Sequence, residues 1–161
     1  MHSNTLRLNS RLMNDLVRQS GHVVVPPEQV KERAGVLAFM GEQKRVGYWQ
    51  VPRNFRVACA MGSTVIDLRE ATISAGVTTI EIFALFGSVE IVVPSGVYVE
   101  LDGDAFAGEF SFDADPTMRP GPDSPTIRIT GSVYFGSVEA QARLAGEEPK
   151  ERKKRLRAAR R

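Results

Sequence analysis

Five short glycine-centred segments constrain this chain most: Ala38-Phe39-Met40-Gly41-Glu42, Cys59-Ala60-Met61-Gly62-Ser63, Ala84-Leu85-Phe86-Gly87-Ser88, Ala105-Phe106-Ala107-Gly108-Glu109 and Val133-Tyr134-Phe135-Gly136-Ser137. Gly41, Gly62, Gly87, Gly108 and Gly136 are separated by 21, 25, 21 and 28 residues, a spacing that belongs to stacked-repeat architectures. The residue three before each glycine is small and apolar, and the residue immediately before it is apolar. Two and four positions after the glycine, seven of ten residues are apolar; one and three positions after it, only Val65 is. Apolar residues therefore alternate on each side of the glycine, as half-buried strands require, and the alternation changes parity across it. A parity change calls for a corner or bulge, which glycine suits because it reaches φ > 0 without a side-chain clash. The expected fold is all-β: one domain, residues 36–143, built as a β-solenoid or β-helix-like stack of about five glycine-cornered strand repeats. The first repeat, with Gln43 and Arg45 at inward positions, reads as a terminal one that meets water.

The flanks differ from this core. Residues 1–35 read as an N-terminal appendage in which Ser10 can cap a short helix running to Gln19, with Leu12 and Leu16, and Met13 and Val17, at four-residue spacing. Pro26 and Pro27 end any continuation, leaving Glu28 to Arg33 a turn or two at most. Asp113 to Pro125 contains four prolines and reads as a surface loop. Residues 144–161 form a basic tail: from Glu147 onward the chain holds eight of its 21 Lys and Arg and three of its 19 Asp and Glu, so this end carries +5 and the rest −3.

Catalytic chemistry finds little support. Both histidines, His2 and His22, fall in the appendage, so neither a histidine triad nor a multi-histidine metal site can form on the repeat core. Asp102, Asp104, Asp113 and Asp115 gather near turns without EF-hand spacing, where aspartate usually serves local turn hydrogen bonds. The glutamates of the strands, such as Glu81, Glu90 and Glu139, read as solvated faces, and the isolated glycines do not open a helix as a phosphate loop would. Trp49, Tyr48 and Phe55, near Arg45, Arg53 and Arg56, read as core packing with flanking charge. Cys59 in its apolar run reads as a buried free thiol. No cofactor, metal or enzymatic activity is expected.

Two stretches are similar to a known family. Arg56-Val57-Ala58-Cys59-Ala60-Met61-Gly62-Ser63-Thr64-Val65-Ile66-Asp67-Leu68-Arg69-Glu70-Ala71, and Ile80-Glu81-Ile82-Phe83-Ala84-Leu85-Phe86-Gly87-Ser88-Val89-Glu90-Ile91-Val92-Val93-Pro94, resemble the C-terminal domain of LiaF-type cell-wall-active antibiotic response proteins. The closing Gly131 to Glu139 resembles that domain's last repeat. The resemblance implies a stacked β architecture and a non-catalytic regulatory or scaffolding role, by protein–protein contact, in bacterial cell-envelope stress signalling, with a membrane-associated signalling protein as partner. This chain departs from the family at its N-terminal segment and at the second glycine of each corner, here Glu42, Ser63, Ser88, Glu109 or Ser137. The alternative is a structural, bactofilin-like β protein that polymerises end to end through its exposed stack ends.

Lys150, Arg152, Lys153, Lys154, Arg155, Arg157, Arg160 and Arg161 are the candidate contact for an anionic partner, with lipid favoured over nucleic acid. Without an ~18-residue apolar span or an export pattern at the start, the chain is expected in the cytoplasm, at most peripheral to the membrane, and able to form a homo-oligomer.

Overall fold

Each glycine segment lies between two strands, because the apolar alternation on both of its sides holds the backbone extended. In the computed structural model, which describes residues 23–161, β1 (Val23–Val25) leads to β2 (Arg33–Phe39) and β3 (Glu42–Arg45), which flank Gly41. Gly62 joins β4 (Asn54–Ala60) to β5 (Ser63–Asp67), and β6 (Thr72–Ser74) follows. Gly87 joins β7 (Val77–Leu85) to β8 (Ser88–Pro94), and Gly108 joins β9 (Tyr98–Phe106) to β10 (Glu109–Asp113). Gly136 joins β11 (Thr126–Tyr134) to β12 (Ser137–Arg143), and one helix, α1 (Pro149–Ala159), closes the chain. The protein is mostly β and its sheets are parallel. The helix expected at Ser10–Gln19, and both histidines, lie outside the described residues.

Two five-stranded sheets share one spatial order. The first runs β2-β4-β7-β11-β9 and the second β3-β5-β8-β12-β10, every pair parallel. The fifth segment is thus threaded between the third and the fourth: Ser137 pairs with both Ser88 and Glu109. Polarity explains the exchange. At matched register β11 buries Ile127 and Ile129 where β9 has Val99 and Leu101, and has Arg128, Thr130 and Ser132 where β9 has Glu100, Asp102 and Asp104; β9 has no fully buried residue. A strand paired on both edges must bury apolar side chains, so the charged strand takes the end of the sheet. The proline-rich loop between Asp113 and Thr126 carries the return. Between the sheets lies one core that includes Phe55, Ile66, Leu68, Ile73, Ile80, Ile91, Ile127 and Ile129.

The fold begins earlier than residue 36. β1 pairs in parallel with β6, Val25 and Val30 are buried, and β2 starts at Arg33, so residues 23–35 belong to the domain and not to an appendage. A run of three valines supplies a β-branched strand before Pro26 and Pro27, and Pro27–Gln29 forms a single 3-10 turn.

The corners differ from the expectation in one respect. The left-handed residue is not the glycine but the residue before it: φ is +48° at Met40, +54° at Met61, +51° at Phe86, +51° at Ala107 and +54° at Phe135. That reversal turns these side chains outward, so the apolar residues before the glycines face water and not the core. The glycines serve close approach. A Cβ built on Gly62, Gly87, Gly136 or Gly108 would fall closer than 3.0 Å to the carbonyl oxygen of Gly41, Gly62, Gly87 or Gly136, respectively. The column is stitched by Ser63 N–H donating to Gly41 O (2.9 Å), Ser88 N–H to Gly62 O (3.0 Å), Ser137 N–H to Gly87 O (3.1 Å) and Glu109 N–H to Gly136 O (3.1 Å). Cys59 is buried beside this column, its Sγ 3.7 Å from Ser88 O, and a Cβ on Gly87 would come within 2.8 Å of that sulfur. Small residues three places before each glycine follow from this crowding.

Candidate interaction surfaces

Parallel in-register pairing stacks equivalent side chains about 4.8 Å apart, so a residue type repeated at each corner becomes a continuous stripe. Phe39, Ala60, Leu85, Tyr134 and Phe106 align across the first sheet. Beside them run the outward corner residues Met40, Met61, Phe86, Phe135 and Ala107, and Leu37 and Phe83 extend the stripe. Phe39 is 66% exposed, Phe106 62% and Phe86 58%. Their rings hold one another: Phe86 stacks on Phe135 at 5.1 Å and 8°, Phe106 meets Phe135 edge-on at 5.7 Å, and Phe83 and Tyr134 lie 5.9 Å apart. At roughly 200 Å² per large side chain, these residues leave on the order of 1,000 Å² of apolar surface in water. The largest patch on a typical monomer is about 300–600 Å², and a stable interface covers about 800 Å² per partner. On the second sheet the row after the glycines, Glu42, Ser63, Ser88, Ser137 and Glu109, is polar and bounds the ridge.

The C-terminal segment is held, not loose. Glu148 and Glu151 form a reciprocal capping box that starts α1 one residue after the cap, at Pro149. Three arginines then lock it down. Arg69 donates to both carboxylate oxygens of Asp67 and, through Nη1, to Glu147 O (2.8 Å) and Leu144 O (3.3 Å). Arg152, 4% exposed, donates to Ala142 O, Asp113 Oδ2, Asp113 O and Ala114 O. Arg155 donates to Glu147 Oε1 at 2.7 Å, Asp115 Oδ2 at 2.7 Å and Thr117 Oγ1 at 2.6 Å.

Charge follows this geometry. Burial by itself would raise the Asp115 carboxyl, whose side chain is 1% exposed, but hydrogen bonds from Arg155, Thr117 and Ser95 override it and hold the group well below the usual carboxylate range. The Arg155 hydrogen bond likewise lowers Glu147 against the effect of burial, and that of Arg152 lowers Asp113. Hydrogen bonds to Glu147 and Asp115 raise Arg155 in turn, and that to Asp67 raises Arg69.

The eight basic tail residues therefore divide. Arg152 and Arg155 are structural, whereas Lys150, Lys153, Lys154, Arg157, Arg160 and Arg161 are exposed, and among the described residues none of these six forms an ion pair. Asp113 and Asp115 serve these arginines, while Asp102 and Asp104 lie exposed on β9. The aromatic group near Arg45 also divides: Phe55 is buried, Trp49 packs on it at 5.4 Å beneath the Arg45 guanidinium, and Tyr48 is 89% exposed. Sequence reasoning missed the ridge by turning its residues inward, and missed Arg69 within the Asp67-Leu68-Arg69-Glu70-Ala71 run. An aspartate two residues before an arginine on a turn is a signal for such a pair, but its carbonyl partners 75 and 78 residues away leave no local trace.

Among the described residues no helix is long and apolar enough to cross a membrane. No solved structure matches the chain. Two proteins described as uncharacterized, from Mycobacterium tuberculosis strains CDC 1551 / Oshkosh and ATCC 25618 / H37Rv, are each 32% identical over 103 residues. The match covers 64% of this chain and 50% of each relative, so the chain spans about half the length of the curated relatives it matches. Residues 39–119, four of the five glycine corners, match the family described as cell wall-active antibiotics response LiaF, C-terminal, and the chain belongs to that LiaF-like family.

Proposed function

We propose that this domain is a non-catalytic regulatory module of the bacterial response to cell-wall-active antibiotics, acting by protein contact through the corner ridge. The observation that carries this reading is the ridge itself: a flat apolar surface of interface size on a rigid parallel scaffold. Family membership supplies the circuit. The partner that suits the ridge is an apolar, aromatic-tolerant face of a membrane-associated signalling protein, because stacked Phe and Met side chains offer large contact area and adaptable packing. In this reading the two sheets form a short β-solenoid of five coils, the fifth threaded inside the fourth, whose task is to hold the corner side chains in one line.

End-to-end polymerisation is the second reading: it would bring the end that carries Lys44 and Arg45 against the end that carries Glu100, Asp102 and Asp104, but the ridge has no part in it. The test is a reporter of the cell-wall antibiotic response in cells that express the full chain or its Phe86→Ser/Phe135→Ser variant at equal level. The proposal expects altered reporter output with the variant. Output identical to wild type would count against it.

A further inference from the structure

We infer that α1 is a docking face for the anionic surface of a phospholipid membrane, and that five residues, Lys150, Lys153, Lys154, Arg157 and Arg161, carry it. Lys153, Lys154 and Arg157 follow Lys150 by 3, 4 and 7 residues, which places the four on one side of the helix, and Arg161, just beyond its end, lines the same depression. Arg152 and Arg155 project from the opposite side and are spent on the body. The two acids of the first turn are withdrawn as well, since Glu148 and Glu151 cap each other's backbone. What remains is a cationic face without an acid on it, lining a shallow depression of about 560 Å³ together with Ala158.

Charge complementarity and shape choose the occupant. A helix pinned through Arg152 and Arg155 presents its cations on the side away from the body, which suits a flat sheet of phosphate headgroups. A DNA groove demands insertion, and the pinned face of α1 lies against the body. Leu156 is half-buried and no large apolar side chain stands on the cationic face, so the contact is electrostatic and superficial. Each basic residue at such a surface strengthens binding by about fivefold, and the attraction decays over about 10 Å at 0.1 M salt. The inference is independent of the ridge, which lies on a different surface.

The test is sedimentation of the full chain with vesicles of 30 mol% phosphatidylglycerol in phosphatidylcholine, against pure phosphatidylcholine and a 20-base-pair DNA duplex. Binding to the anionic vesicles alone, lost above 0.5 M salt, is the expected result. Lys153→Gln/Lys154→Gln/Arg157→Gln should weaken it about 100-fold. A charge-matched control, Lys31→Gln/Arg33→Gln/Arg119→Gln, should change it less than about fivefold, and Lys153→Arg/Lys154→Arg should retain it. All three substituted sets lie on exposed side chains, and far-ultraviolet circular dichroism verifies their folding. Equal weakening by the helix triple and the control, tighter binding to DNA than to the anionic vesicles, or equal binding to neutral vesicles would each overturn the inference.

Discussion

Replacing Gly136 by alanine places a methyl group against a backbone that cannot rotate away. The new Cβ would lie far closer than 3.0 Å to the carbonyl oxygen of Gly87, at the centre of the stack, and 3.0 and 3.1 Å from its carbonyl carbon and nitrogen. Gly136 O also receives the Glu109 N–H on its other side, so a shift of the corner strains a second hydrogen bond. Overpacking costs about 1–3 kcal/mol when side chains can adjust, and a fixed backbone on both sides points to the upper end, about 3 kcal/mol. Gly41→Ala is the matched control: the same corner position, no atom within 4 Å of the new Cβ, and no positive φ to oppose a side chain. Reduced freedom of the unfolded chain should stabilise that variant by about 0.4–1 kcal/mol. Urea unfolding followed by circular dichroism reads both, and in thermal scans 3 kcal/mol corresponds to about 6–12 °C in a chain of this size. If Gly136→Ala and Gly41→Ala unfold within about 0.5 kcal/mol of one another, the glycines do not serve close approach and the explanation of the corners is wrong.

Other outcomes follow from the ridge and the arginines. Phe86→Ser/Phe135→Ser should lower stability by no more than about 1.5 kcal/mol, the value of one exposed ring stack, and should reduce binding of a hydrophobic dye; a collapse of the fold would show that the ridge is core. Arg155→Gln leaves Asp115 buried without its cation and should cost about 3–5 kcal/mol, measured by urea titration at pH 7. Because Asp115, Glu147 and Asp113 are all depressed in the folded state, their contribution is complete above the ordinary carboxylate range and is lost as pH falls below about 4. The acid limb of the stability curve should accordingly be shallower in Arg155→Gln, and parallel limbs would remove Asp115 and Glu147 from the account. Truncation after Gly146 should lower the unfolding midpoint, since it removes the partners of Asp113 and Asp115; an unchanged midpoint would mean that α1 merely rests on the body.

The β class, with strands on both sides of each glycine segment, was legible in the sequence because parallel pairing repeats one local pattern. Alternation of Ile, Val and Phe around a glycine is a local property, and it survives translation from strand to strand. The direction of the corner side chains was not legible. Apolar residues before the glycines satisfied the alternation rule, and only the left-handed backbone at Met40, Met61, Phe86, Ala107 and Phe135 reverses their sense. Two Met, two Phe and one Ala at that position, without Val, Ile or Thr, were the available hint, because β-branched side chains resist φ > 0. The exchange of the last two segments also left a trace: Glu100, Asp102 and Asp104 stand where the other segment has Arg128, Thr130 and Ser132. The division of the tail is not a local matter, since Arg152 and Arg155 differ from their basic neighbours through acceptors outside the helix, 8 to 40 residues away.

The order of the stack is open to direct measurement in a Cys59→Ala background by oxidising pairs of introduced cysteines at outward positions of the second sheet. Neighbouring strands bring Cα atoms about 4.8 Å apart, next-nearest ones about 9.6 Å, and a disulfide forms only below about 7 Å. Ser88→Cys with Ser137→Cys should crosslink rapidly, as should Ser137→Cys with Glu109→Cys, while Ser88→Cys with Glu109→Cys should not. Efficient crosslinking of that last pair, with failure of the first, would place the fourth segment beside the third and contradict the threaded column on which the ridge depends.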